Sequence, residues 1–216
     1  MALSGDVLVN PISGERFTFR KTAAETNGDL LAFDLELSPD GRVPGAHVHP
    51  NQEEHFEVVA GALRFRMGPR VIIGRAGDHV VIPPGTIHAF KNADNAPVHV
   101  RVEVRPALRM EELLETTVAL AREGRTGAAG MPHPLDLALF MREFEAEVRA
   151  PLAPAPVVRA VMAPLAWLAR RRGLDARYHP TPTAPPSRRD SRRPRTRAPE
   201  PRRRSHRGLS EGGRDR

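Results

Sequence analysis

HVHPNQEEHFEVVAG, residues 47–61, and GDHVVIPPGTIHAFKN, residues 77–92, hold the densest pattern of chemistry-bearing residues in the chain. His47 and His49 are two apart, so on a strand both imidazoles leave the same face. Glu54 opens the apolar-alternating run that follows the turn near Pro50 and Asn51. His88 comes just after Pro83-Pro84-Gly85, a turn able to fold it back over the same surface. Three imidazoles and one carboxylate make a nitrogen/oxygen site for a first-row divalent metal. Six-coordination would leave two positions open for water or substrate, whereas a tetrahedral ion would be nearly closed in.

Outward from these stretches, residues 10–105 alternate in period two, the signature of half-buried strands. Phe17 and Phe19 point one way, Thr18 and Arg20 the other. Leu31, Phe33, Leu35 and Leu37 alternate with Ala32, Asp34 and Glu36, and Val98, Val100, Val102 and Val104 with His99, Arg101 and Glu103. Turn signals such as Asn27-Gly28, Pro39-Asp40-Gly41 and Gly68-Pro69 separate the runs. Many short strands with regular turns predict an all-β sandwich or barrel.

The spacing is also that of a known family. Gly41, five residues, His47-Val48-His49, four residues, Glu54, six residues and Gly61 resemble the first motif of the cupin superfamily. Gly77, five residues, Pro83, Gly85, His88 and Asn92 resemble its second, with fifteen residues between Gly61 and Gly77. The resemblance implies a small double-stranded β-helix, jelly-roll-like, with one divalent metal inside, whether iron, manganese, nickel, copper or zinc. It assigns the metal to His47, His49, Glu54 and His88, and makes Glu54 rather than Glu53 the carboxylate ligand. Strand parity agrees, since Glu54, Phe56 and Val58 then share a face.

After Pro106 the period changes. Residues 110–124 space Leu113, Leu114, Val118 and Leu120 as a helix ending at Gly124. A second helix is expected over 134–149 and a third over 157–172, interrupted by Pro164. From about Thr181 the chain is Pro, Arg and Ser, the composition of a disordered tail. The expected organisation is a metal-binding barrel over 1–106, a helical C-terminal extension over 107–180 and the tail over 181–216. Residues 188–216 contain twelve Arg against four acids, so the net charge of +7 belongs to the tail and the rest of the chain carries −1. Such a tail could bind anions without specificity but lacks the aromatics of a base-stacking segment, so no specific nucleic acid is expected. The stripe Val157, Val161, Leu165 and Leu168, with Trp167, reads as packing on the barrel or a second subunit rather than membrane attachment.

The chain has no cysteine, so neither a disulfide framework nor a thiolate site exists. Its start lacks a secretory pattern and its apolar runs fall short of the ~18 residues of a membrane span, which suggests a cytoplasmic protein. His55, His79 and His99 read as outward-facing or structural. Phe56, Phe65 and Phe90 lie nearest the motifs and are the first candidates to line a ligand cavity, because core and cavity wall coincide in a small barrel. No catalytic residue is singled out beyond the metal set. The expected function is a metal-dependent enzyme on a small organic molecule, with oxygenation leading and isomerisation second. The alternatives are a non-catalytic barrel that binds or senses a small ligand and, more weakly, an interaction protein working through its basic tail. A homodimer is expected, to cover helix stripes that one barrel would not accommodate.

Overall fold

The computed structural model describes residues 2–151 and 153–178. Nine strands come first: β1 (Val7–Val9), β2 (Glu15–Lys21), β3 (Leu31–Leu37), β4 (Glu53–Ala60), β5 (Ala62–Met67), β6 (Arg70–Arg75), β7 (His79–Ile82), β8 (His88–Asn92) and β9 (Val98–Arg105). They form a six-stranded sheet in the order β1-β2-β3-β9-β4-β7 and a three-stranded sheet in the order β6-β5-β8. Every strand pair is antiparallel. This is the all-β barrel that the alternation predicts.

The register explains where the core lies. Leu35 of β3 stands opposite Val100 of β9, which stands opposite Val58 of β4. All three are buried, as are Val98, Val102 and Val104, while Arg101 between them is exposed. A shift of one residue would turn every valine of β9 to solvent, so the pattern fixes the pairing. Gly61 makes the β4–β5 turn at a φ of 80°, which a residue with a Cβ rarely adopts. β1 begins at Val7, ahead of the run expected from residue 10; it is a three-residue edge strand too short to show a period.

Three helices follow: α1 (Met110–Arg122), α2 (Pro134–Glu143) and α3 (Ala155–Arg171), then a 3-10 turn (Leu174–Arg177). Pro134 opens α2, where its missing N–H costs nothing. The second helix does not run to residue 149. It stops at Glu143 because the next residues serve other partners: Phe144 is buried, and Arg149 pairs its backbone with Val48. Nor does Pro164 interrupt the third helix. Ala160, whose carbonyl loses its helical partner there, faces solvent and can bond to water.

The expected inward stripe of α3 is also corrected. Val157 and Val161 are 53% and 63% exposed and Trp167 is 55% exposed, while Ala166 and Ala169 form the buried side. Ala side chains let α3 approach closely; Met162, Leu165 and Leu168 are half-buried, and Val157, Val161 and Trp167 are left outside. By contrast Leu113, Leu139, Phe140 and Phe144 are buried within the same chain, so these side chains do not need a second subunit to cover them. The expected tail, 181–216, lies outside the described residues.

Candidate metal centre

Residues 47–49 run between two other segments. On one side His47 and His88 exchange backbone hydrogen bonds of 2.9 Å, and Gly85 N–H donates to the His49 carbonyl at 2.8 Å. On the other side Val48 and Arg149 exchange bonds of 3.1 and 2.9 Å. The Pro-Pro-Gly turn thus folds His88 back over the two histidines, and the three ring centroids lie 4.3–5.2 Å apart. Glu54 reaches them from β4. Its Oε2 lies 2.9 Å from His88 Nε2, and its Oε1 lies 3.6 Å from His49 Nε2. Glu53 turns to the other face of β4 and pairs with His55 at 2.6 Å, as the parity argument requires.

The tautomers follow from the partners. His47 Nδ1 lies 2.9 Å from the Gly45 carbonyl, His49 Nδ1 2.6 Å from the Glu147 carbonyl, and His88 Nδ1 3.0 Å from the Thr86 carbonyl. A carbonyl only accepts, so each Nδ1 carries the proton and each Nε2 is left to face the centre. There the Nε2 atoms of His47 and His49 approach to 3.1 Å. Two neutral imidazoles would oppose lone pairs at that distance. Two nitrogens bound to one ion at about 2.1 Å and a right angle stand about 3 Å apart. His88 Nε2 and Glu54 Oε2 are close but out of line, so both are buried without a hydrogen bond. The three histidines form a cluster able to hold a metal ion, their ligand atoms within 4.8 Å of one another.

Burial dominates the electrostatics. It pushes His47 down to about 3, helped by the neighbouring His49 and His88, so this ring is neutral and a ready donor. Burial alone would raise Glu54, but His49 and His88 outweigh it and hold the carboxyl at about 2. Burial would lower His88, yet its contact with Glu54 wins and raises it.

A cavity of about 270 Å³ opens from this cluster, with His47, His49 and Glu54 on its wall. Phe17, Phe33, Leu35, Phe56, Phe90 and Val102 supply the barrel side. Phe65 is not among its lining residues: it is fully buried behind Phe56, ring centroids 5.2 Å apart. Two contributors escaped the sequence reading. Glu147 anchors His49 through a backbone carbonyl, which no side-chain pattern encodes. Glu15 stands buried on the cavity wall. Its parity with Phe17 and Phe19 was the available signal.

The family model for a cupin domain matches residues 33–104. The barrel is a cupin. Solved structures are similar to part of the chain. One is an uncharacterized conserved protein with a double-stranded β-helix domain from Klebsiella pneumoniae, 21% identical over 47% of this chain and 85% of that one, with a TM-score of 0.40. KdgF from Halomonas sp. is 20% identical over 47% and 87%, with a TM-score of 0.41. A predicted oxalate decarboxylase from Thermotoga maritima is 19% identical over 49% and 99%, with a TM-score of 0.42. A search of curated proteins finds no match. No helix among the described residues is long and apolar enough to cross a membrane.

Proposed function

We propose that this cupin binds one divalent metal through His47, His49, Glu54 and His88 and acts with it on a small organic molecule, with oxygenation as the leading reaction class. The observation that carries the reading is the set of three Nδ1–H groups tied to backbone carbonyls, which leaves three Nε2 atoms converging beside a buried carboxylate. Such a site is ordered before the metal arrives, so little freedom is lost on binding. A bound divalent metal would supply Lewis-acid or redox chemistry at its open positions. The chain's own residues do the rest. The imidazoles and Glu54 set the charge of the centre, and the apolar cavity wall excludes water from the reacting end of the ligand.

The test is elemental analysis of the purified protein, followed by oxygen-uptake screening of the reconstituted protein against small organic compounds. Stoichiometric metal with uptake that disappears in His47→Ala supports the enzyme. Metal equally abundant in wild type and in a His47→Ala, His88→Ala double variant overturns the site. Stoichiometric metal with ligand retained unchanged and no uptake favours the binding or sensing reading, for which the apolar cavity is the supporting observation.

A further inference from the structure

The cavity has two unlike halves. Its floor is the polar cluster in the barrel, and its roof comes from the extension: Leu113 and Met110 on α1, Phe140 and Met141 on α2, and Met162 on α3. Met131, between α1 and α2, adds another thioether, so four of the chain's six methionines line this one space. Methionine is flexible and polarizable and moulds to varied apolar shapes. The volume, about 270 Å³, exceeds that of the roughly 150 Å³ apolar cavities that take up benzene. It suits a molecule of two rings or a ring with an alkyl chain.

Polar partners away from the histidine cluster are few. Thr117 lines the cavity but donates its hydroxyl to the Leu113 carbonyl at 2.8 Å. Arg149 is turned to Glu145, its Nε donating to that residue's carbonyl at 3.2 Å, and its side chain is 41% exposed at the rim. Glu15 differs. Ser13 Oγ donates to one of its carboxyl oxygens at 2.5 Å, and the other bonds to no described residue. A sugar or polyol would bury several hydroxyls here against hydrocarbon, each at a cost. Away from the proposed metal, a dianion would face Glu15 with no buried basic side chain among the described lining residues.

We infer that the cavity takes a largely hydrocarbon molecule, aromatic or alkyl, whose one neutral oxygen function is hydrogen-bonded by Glu15. This rests on the proposed function only in placing the ligand above the histidine cluster. Burial raises Glu15 to about 7, so near neutral pH its acid form can donate to a hydroxyl or carbonyl oxygen.

The test uses the full chain, both metal-stripped and reconstituted, with N,N-dimethyl-1-naphthylamine as a neutral two-ring fluorescent probe. One saturable site per chain is expected in both forms, so failure of the metal site and failure of the cavity reading are separate results. 4-Alkylphenols should displace the probe roughly three- to tenfold more tightly than alkylbenzenes of equal chain length, the worth of one hydrogen bond. Glu15→Leu should abolish that preference while keeping the probe, and Glu15→Gln should retain part of it. Met162→Trp, which fills the roof, should cut probe binding at least tenfold, and it keeps the test decisive if Glu15→Leu does not fold. Val161→Ser on the exposed face of α3 should change nothing. The inference is overturned by absence of saturable binding, by loss of binding in Val161→Ser, by displacement with glucose or succinate as effective as with phenols, or by a phenol preference that survives Glu15→Leu.

Discussion

The two ends of the cavity are held in different ways. At the floor, His47 and His88 take their Nδ1 partners from carbonyls two residues away, Gly45 and Thr86. His49 takes its partner from Glu147, ninety-eight residues on, and the same segment bonds Val48 and Asn51. Two histidines are therefore oriented by their own loops, and the third by the extension. A barrel cut away from its helices would keep the ligand types and lose one of the three anchors. The extension is thus part of the centre rather than an appendage to it.

Removing both locally anchored imidazoles is the harshest challenge to this contrast. His47→Ala with His88→Ala should reduce bound metal to background by elemental analysis, and Glu54→Gln should weaken binding far more than Glu53→Gln, since only Glu54 faces the cluster. Phe144→Ala probes the distant anchor. Phe144 is buried against Phe140, Tyr178 and the Arg109 guanidinium just before the strap. The variant should lose about 3–5 kcal/mol of stability in urea. If Glu147 steers His49, it should also lose about ten- to a hundredfold in metal affinity by titration. Undiminished metal affinity in a folded Phe144→Ala protein would make the extension irrelevant to the floor.

Glu15 sharpens the comparison through pH. Folded, its carboxyl keeps its proton up to about 7, against an ordinary value of 4.5. Between those values the unfolded chain binds fewer protons, so this group makes stability fall as pH rises and then level off. Glu15→Gln removes that slope. Its stability relative to wild type should grow between pH 4.5 and 7, by about 3 kcal/mol at most, in paired denaturant titrations. A constant difference across that window would place Glu15 in a wetter setting. The smallest effect is expected from deleting residues 188–216: twelve Arg with only Leu209 as a large aliphatic residue can bury little, so the melting temperature should move by no more than about 2 °C. Light scattering on 1–182 tests the expected homodimer, for which Val71 and Ile73 of edge strand β6 and Val157, Val161 and Trp167 of α3 are the exposed apolar candidates; a monomer mass at micromolar concentration refutes it.

The barrel was legible because both its signals are short-range. Alternation such as Val98 to Val104 reports which face is buried, and the spacing from His47 to Glu54 survives without knowledge of partners. What escaped was non-local. The end of α2 is dictated by Val48, a hundred residues earlier, and the continuity of α3 through Pro164 depends on solvent beside Ala160. The stripe of α3 misled because hydrophobicity alone ranks Val157 above Ala166, whereas close helix approach favours the smaller side chain. Glu15 drew no reading from the sequence, because nothing ahead of Phe17 and Phe19 shows that β2 begins there and turns it inward.

The strap over His49 also sets a clock. An ion held on His49 Nε2 would be lost most readily when Val48, His49 and Asn51 release their bonds to residues 146–149 and free that ring. Stripping by excess chelator should then reach a plateau rate independent of chelator concentration, because the slow event is a local opening of the protein rather than an encounter with the competitor.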